Sequence, residues 1–121
     1  MMESKIRMKS HDFYTRGDSD KGVKYPLELP DGINSGEWLR VVGSESSLYE
    51  KAHEETVRSV LAGDNSDGKQ SYILLAALVI DWSFDEPCTT DTIIKFLKNA
   101  PYIKYGLDRF VVNRVNFYKK K

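Results

Sequence analysis

Disulfide chemistry is missing from this sequence. Cys88 is the single cysteine in 121 residues, so no bridge can close within the chain, and a reducing compartment fits better than a disulfide-built secreted scaffold. Long apolar runs are missing too. The longest covers residues 72–80, which as a helix would cross about half of a bilayer core, so a buried element is expected and no membrane partner. Residues 1–10 interleave charged and apolar side chains, and no secretory signal is expected there. Internal repeats are absent, and the only low-complexity stretch is the run Lys119, Lys120 and Lys121. Net charge is absent as well, with 18 basic residues against 18 acidic ones.

What is present describes one globular domain. The chain is 40% hydrophobic and 12% aromatic, and a domain of this size buries somewhat under ~70% of its unfolded surface, enough for a core without staples. The charge is unevenly laid out. Residues 1–43 hold seven acids and seven bases, residues 44–92 ten acids and three bases, and residues 93–121 one acid and eight bases. The two opposed segments either face each other inside the fold or are displayed to different partners.

The pattern predicts an α+β fold, mainly α: an N-terminal strand and β-hairpin region over 1–43, then a helical region over 44–121 forming a compact bundle of about four helices, the two making one domain. Val23, Tyr25, Leu27 and Leu29 alternate with polar residues or Pro26, which predicts a strand, and Pro26 restricts it to an edge or a bulge. A turn cluster over 30–36 and a return strand over 38–42 complete the hairpin. A weaker strand is expected over 8–14. Ser47 and Glu50 fit a capping box, with Ser46 as the alternative cap, for a helix ending near Ala62. A second helix is expected from about Lys69 to Trp82, central and fully buried; its Leu and Ala content favours helix over the alternative of a buried strand. Thr89 should cap a third, amphipathic helix ending near Asn99, and Pro101 should open a last one running to about Asn116, with Gly106 a weak point.

Arg114 falls near the middle of the last helix's apolar arc. A guanidinium aimed at a core needs a carboxylate, so a structural pair is expected with Asp85 rather than Asp81 or Glu86, and loss of the pair should abolish cooperative folding. The alternative is an Arg114 that reaches solvent at a frayed helix end.

Enzyme chemistry lacks its parts. His11 and His53 stand at metal-ligand spacing neither from each other nor from Cys88, and His53 with Glu54 and Glu55 departs from the zinc-helix pattern at Val57. The serines near Gly43 make no nucleophile elbow, and no glycine pattern cradles a phosphate. Cys88 has no histidine near it in sequence to activate it. No catalytic, cofactor or metal site is expected. A helix-turn-helix module that binds nucleic acid is the rival reading for the basic last third. It is disfavoured because Lys104 and Arg109 point about 140° apart on a helix and form no stripe. The first long helix carries Leu48, Tyr49, Ala52, Thr56, Val57, Val60 and Leu61 over an arc of roughly 220°, wider than one-sided packing requires. Part of that face, chiefly Leu48, Tyr49, Val57, Val60 and Leu61, is a candidate surface for a partner.

Further along, Leu75, Ala76 and Ala77 lead into Asp81, Trp82, Ser83 and Phe84, then Glu86, Pro87, Cys88 and Thr89. The series continues through Ala100, Pro101 and Tyr102 and closes on Asn113, Arg114, Asn116 and Phe117, preceded in the front half by Glu37, Trp38, Leu39, Gly43, Glu45 and Ser46. Over roughly residues 22–118 the chain resembles the tail assembly chaperones of bacteriophages with long, non-contractile tails. The resemblance implies a non-enzymatic protein without a cofactor. It would act in the cytoplasm of the infected host, binding the aggregation-prone tape-measure protein and helping tail-tube subunits polymerise around it, and then be absent from the finished virion. A chaperone that coats a long client is expected to self-associate. Many such proteins also have a longer form made by programmed ribosomal frameshifting, through which the tail-tube protein is engaged. Adenine-rich codons for Lys119, Lys120 and Lys121 would suit a slippery site, and an ordinary solvated basic tail is the alternative.

Overall fold

A computed structural model describes residues 7–63 and 69–118. A single-turn 3-10 segment, Ser10–Phe13, stands where a weak strand was expected. The Asp12 carboxylate accepts the Lys9 backbone N–H at 2.7 Å, which turns the chain instead of extending it. Helix α1, Arg16–Lys21, follows and has no apolar periodicity in the sequence to announce it. Gly22 ends it at φ 72° and ψ 170°, and the chain turns into the sheet.

Three antiparallel strands lie in sequence order: β1 (Val23–Glu28), β2 (Asn34–Val41) and β3 (Val79–Trp82). The expected hairpin is present, and its return strand begins at Asn34 rather than Trp38. The register slips between Pro26, opposite Trp38, and Glu28, opposite Asn34, so two residues of β1 span four of β2 and the extra length is absorbed as an irregularity. Pro26 sits on an edge strand, as a residue without an N–H must. The Tyr102 hydroxyl donates to the Glu28 carbonyl at 2.6 Å on that edge.

Four longer helices complete the fold: α2 (Ser47–Leu61), α3 (Lys69–Leu78), α4 (Thr90–Asn99) and α5 (Pro101–Val112). Helix α3 departs from expectation. It stops at Leu78, and Val79–Trp82 pairs with β2 through Leu39 opposite Trp82 and Val41 opposite Val79. The run is helical from Tyr72 and Ile73 through its Leu and Ala residues, while the β-branched pair Val79 and Ile80, with Trp82 beyond it, takes the free side of β2. Nor is α3 buried all round: Leu75, Ala76 and Leu78 are buried, whereas Ile73 is exposed. The sheet therefore draws its third strand from the helical region, which ties the two parts together.

The core lies between the sheet and α3, α4 and α5. Leu39 and Val41 from β2, Leu97 from α4 and Leu107 from α5 are wholly inaccessible to solvent. Tyr25 packs edge-on to Phe110 at 4.9 Å between ring centroids, and Phe110 to Phe117 at 5.5 Å. Gly106 gives this packing its room, because a Cβ there would lie 2.5 Å from the Tyr25 hydroxyl. What reads in sequence as a weak point of a helix is a notch for a tyrosine. Burial pushes the Tyr25 phenol above its ordinary value, against the opposing pull of Arg109.

Helix α5 ends at Val112, short of the expected Asn116, and a 3-10 turn, Arg114–Asn116, follows it. The Asn113 side chain accepts the Val115 N–H at 3.2 Å, and the Asn116 amide donates to the Phe110 carbonyl at 2.9 Å. These side chains satisfy backbone groups at the helix end, and Phe117, just beyond the turn, is buried in the core.

Candidate functional site

The motif residues that carry the family resemblance build the scaffold. Trp82 is almost buried, and its indole N–H donates to the Glu86 carbonyl at 2.8 Å, closing the loop after β3. Around it Phe84 and Phe96 pack edge-to-face, with centroids 5.1 and 6.1 Å from that of Trp82 and 5.2 Å from each other. Thr89 caps α4 by accepting the Thr92 N–H at 3.2 Å. The Thr92 hydroxyl accepts the Thr89 N–H at 2.9 Å and donates to the Pro87 carbonyl at 2.7 Å. Pro101 occupies the first turn of α5, where its missing N–H costs nothing. Cys88 is half-buried; desolvation, and secondarily Asp81, raise its thiol above the ordinary range, away from thiolate reactivity.

The expected Arg114–Asp85 pair is not formed. With α5 ended at Val112, Arg114 leaves the apolar arc and points outward. Its Nε donates to the Glu45 carboxylate at 3.0 Å, the Arg114 side chain being 60% exposed and that of Glu45 34%. The pair joins the C-terminal turn to the loop before α2. The Thr15 hydroxyl and, less strongly, Arg114 hold the Glu45 carboxyl below its ordinary value of 4.5. A depressed carboxylate contributes stability above its unfolded value and loses it as the pH falls through the folded one, so this contribution fades in acid below 4.5. At this exposure Arg114→Ala should cost less than about 1 kcal/mol and leave unfolding cooperative. A urea titration checks this, and a broad, non-cooperative transition would restore the buried-pair reading.

The candidate partner surface is partly assembled. Ser46 is the cap of α2, its Oγ accepting the Tyr49 N–H at 3.1 Å, while Asp20 of α1 receives the Ser47 N–H at 2.6 Å. Glu50 plays no part in a capping box and lies 3.4 Å from Arg16. Along the helix only Ala52 is buried, with Tyr49, Thr56 and Ser59 partly covered. The larger apolar side chains face solvent: Val57 and Val60 are each 44% exposed and Leu61 83%. An ordinary surface helix buries its branched apolar residues and exposes its small polar ones; α2 does the reverse. His53, one turn before Val57, stacks on Tyr49 at 5.8 Å and 8°. Tyr49 is thereby half-buried against the core and is not an open contact. Leu48 is exposed but lies about 180° round the helix from Val57. The surface thus reduces to Val57, Val60 and Leu61, beside His53.

Compared with protein-family profiles, with curated proteins and with solved structures, the chain gives no match.

The basic last third does not form a phosphate-binding stripe on α5. Lys104 is nearly covered, donates to Asp108 at 2.9 Å, and lies over the Tyr72 ring at 5.0 Å. Lys98 approaches the same ring at 5.6 Å, so both ammonium groups rest on aromatic faces of the fold. Lys119, Lys120 and Lys121 lie outside the described residues. No group of three or more His, Cys, Asp or Glu side chains is placed to hold a metal among the described residues. Nor is any helix among them long and apolar enough to cross a membrane.

Sequence reasoning passed over a second exposed apolar region. Phe13, Tyr14, Val115 and Tyr118 are all exposed, and they border two adjoining open grooves that share Phe13, Thr15 and Glu45. The adjacent aromatics Phe13 and Tyr14 in a polar stretch were the available signal.

Proposed function

We propose that this protein is a tail assembly chaperone of a long-tailed bacteriophage, which holds the tape-measure protein in the host cytoplasm while tail-tube subunits polymerise around it. One observation carries the reading beyond the sequence resemblance: α2 presents Val57, Val60 and Leu61 to solvent while packing inward through Ala52 and Thr56. A rigid helical scaffold with an unspent apolar ridge suits transient cover of a partner's apolar segments. The tail-tube protein would be recruited through a frameshifted longer form, and overlapping reading frames at the codons for Lys119, Lys120 and Lys121 would mark its origin. Co-expression with the tape-measure protein encoded alongside it tests the assignment. The expected result is a soluble complex that co-purifies, from a client that precipitates when expressed alone. A client equally insoluble with and without this chain would overturn it.

A further inference from the structure

The face of α5 that meets β1 encloses a cavity with polar ends. Tyr102, Gly106 and Arg109 stand at i, i+4 and i+7, on one side of the helix and about 10 Å from first to last. Opposite them, Tyr25 to Glu28 of β1 span about the same length. The Tyr102 hydroxyl meets the Glu28 carbonyl at one end, and the Tyr25 hydroxyl stands over Gly106 towards the other. The cavity between has a volume of about 360 Å³, within the range of small-ligand sites, with Pro26 and Ile103 among its walls.

Two donors lining this cavity lack an acceptor. Neither the Tyr25 hydroxyl nor the Arg109 guanidinium has a hydrogen bond or an ion pair among the described residues. Burial keeps the phenol protonated and able to donate. Glu28 lines the cavity too, but at the Tyr102 end, and Arg109 acts on the Tyr25 phenol more strongly than Glu28 does. The charge that governs the Gly106 end is therefore the guanidinium. An anion placed there stands about one screening length from the exposed Glu28 carboxylate. A guanidinium offers its N–H groups as a planar fork that matches a carboxylate, and the hydroxyl adds a further donor. A phosphate has more oxygens than these two groups can satisfy.

We infer that the cavity between α5 and β1 binds a carboxylate on a short apolar stem, its oxygens on Arg109 and the Tyr25 hydroxyl and its stem against Pro26 and Ile103. Gly106 leaves the space in which the two donors converge, since a Cβ there would run into the Tyr25 hydroxyl. The inference stands whether or not the protein is a chaperone. A free small acid and a glutamate side chain of another polypeptide offer the same group, and the test separates them.

The test titrates the full chain, labelled with nitrogen-15, with butyrate, butyramide, inorganic phosphate and the blocked tripeptide acetyl-Ala-Glu-Ala-amide, at neutral pH and constant ionic strength. Butyrate should shift the Gly106 amide and the Arg109 Nε–H resonances to saturation with a Kd of about 1 mM, the reach of a six-atom ligand. Butyramide and phosphate should bind at least about fivefold more weakly than butyrate. Arg109→Gln and Tyr25→Phe should each weaken butyrate at least about fivefold, the usual worth of a hydrogen bond to a charged group. Arg58→Gln, which removes the same charge from α2, should leave its binding unchanged. Arg109 and Arg58 are exposed and Tyr25→Phe keeps the ring against Phe110, and circular dichroism melts would confirm that the variants fold. Butyramide or phosphate binding as tightly as butyrate overturns the inference, as does binding unmoved by Arg109→Gln or weakened equally by Arg58→Gln. So does the absence of a saturable shift with both carboxylates. Tighter binding of the tripeptide than of butyrate upholds the site and assigns it to a polypeptide side chain; the opposite order upholds it for a free small acid.

Discussion

Gly22→Ala should cost the protein roughly 2–6 kcal/mol, the sum of about 1–3 for a non-glycine residue forced into this backbone region and about 1–3 for overpacking. At φ 72° and ψ 170° the residue occupies a conformation that side chains avoid. The added Cβ would stand 2.5 Å from the Val41 carbonyl oxygen and 3.2 Å from its carbon. Those atoms belong to the central strand, so they cannot swing aside as the tip of a side chain would. Relief requires α1 to shift off the sheet, which would also loosen the Asp20 contacts with Ser47 at the start of α2. Against a total stability of about 5–15 kcal/mol the change is large. Urea unfolding followed by circular dichroism should show a much lower midpoint. A midpoint shifted by less than the equivalent of about 0.5 kcal/mol, as for a neutral surface change, would show that the turn has another geometry.

Trp82→Ala is the second large effect, at about 3–5 kcal/mol for emptying a core site of this size. Trp82 faces Leu39 across the sheet and closes the cluster of Phe84 and Phe96. It also holds the loop that leads to Thr89 through its bond to the Glu86 carbonyl, so the cap of α4 should be loosened with it. Trp82→Phe separates the two contributions, since it keeps most of the ring packing and loses the N–H, and should cost about 1–3 kcal/mol. Thermal melts of both variants measure this. If Ala and Phe proved equally damaging, the hydrogen bond rather than the packing would dominate.

Much of the architecture is written in local pattern, because the rules that carry it act within a few residues. Period-two alternation from Val23 to Leu27 and the proline that confines it to an edge are such rules, as are the Thr89 cap and Pro101 at a first turn. What the pattern could not give depended on partners distant in sequence. Nothing in residues 72–80 says that β2 has an open side, and it is that open side which turns Val79–Trp82 from helix into strand. The same limit governs Arg114. Its assignment to a buried pair followed from extending α5 by one turn; Asn113 and Asn116 instead bond the backbone locally, and the guanidinium meets Glu45, 69 positions away. The exposed apolar side of α2 was legible as an apolar arc too wide for one-sided packing. Its division was not, because only the packed structure reveals that Tyr49 is spent on His53 and that Leu48 looks the other way.

The two borders of the sheet differ from most exposed strands. Pro26 removes a donor from one, the Tyr102 hydroxyl occupies an acceptor there, and the register breaks beside it. The opposite border is the four-residue strand β3, in which the Trp82 N–H is bonded to the Asp81 carboxylate. At these two borders a stray extended chain meets an interrupted row of donors and acceptors, which disfavours strand-templated growth there.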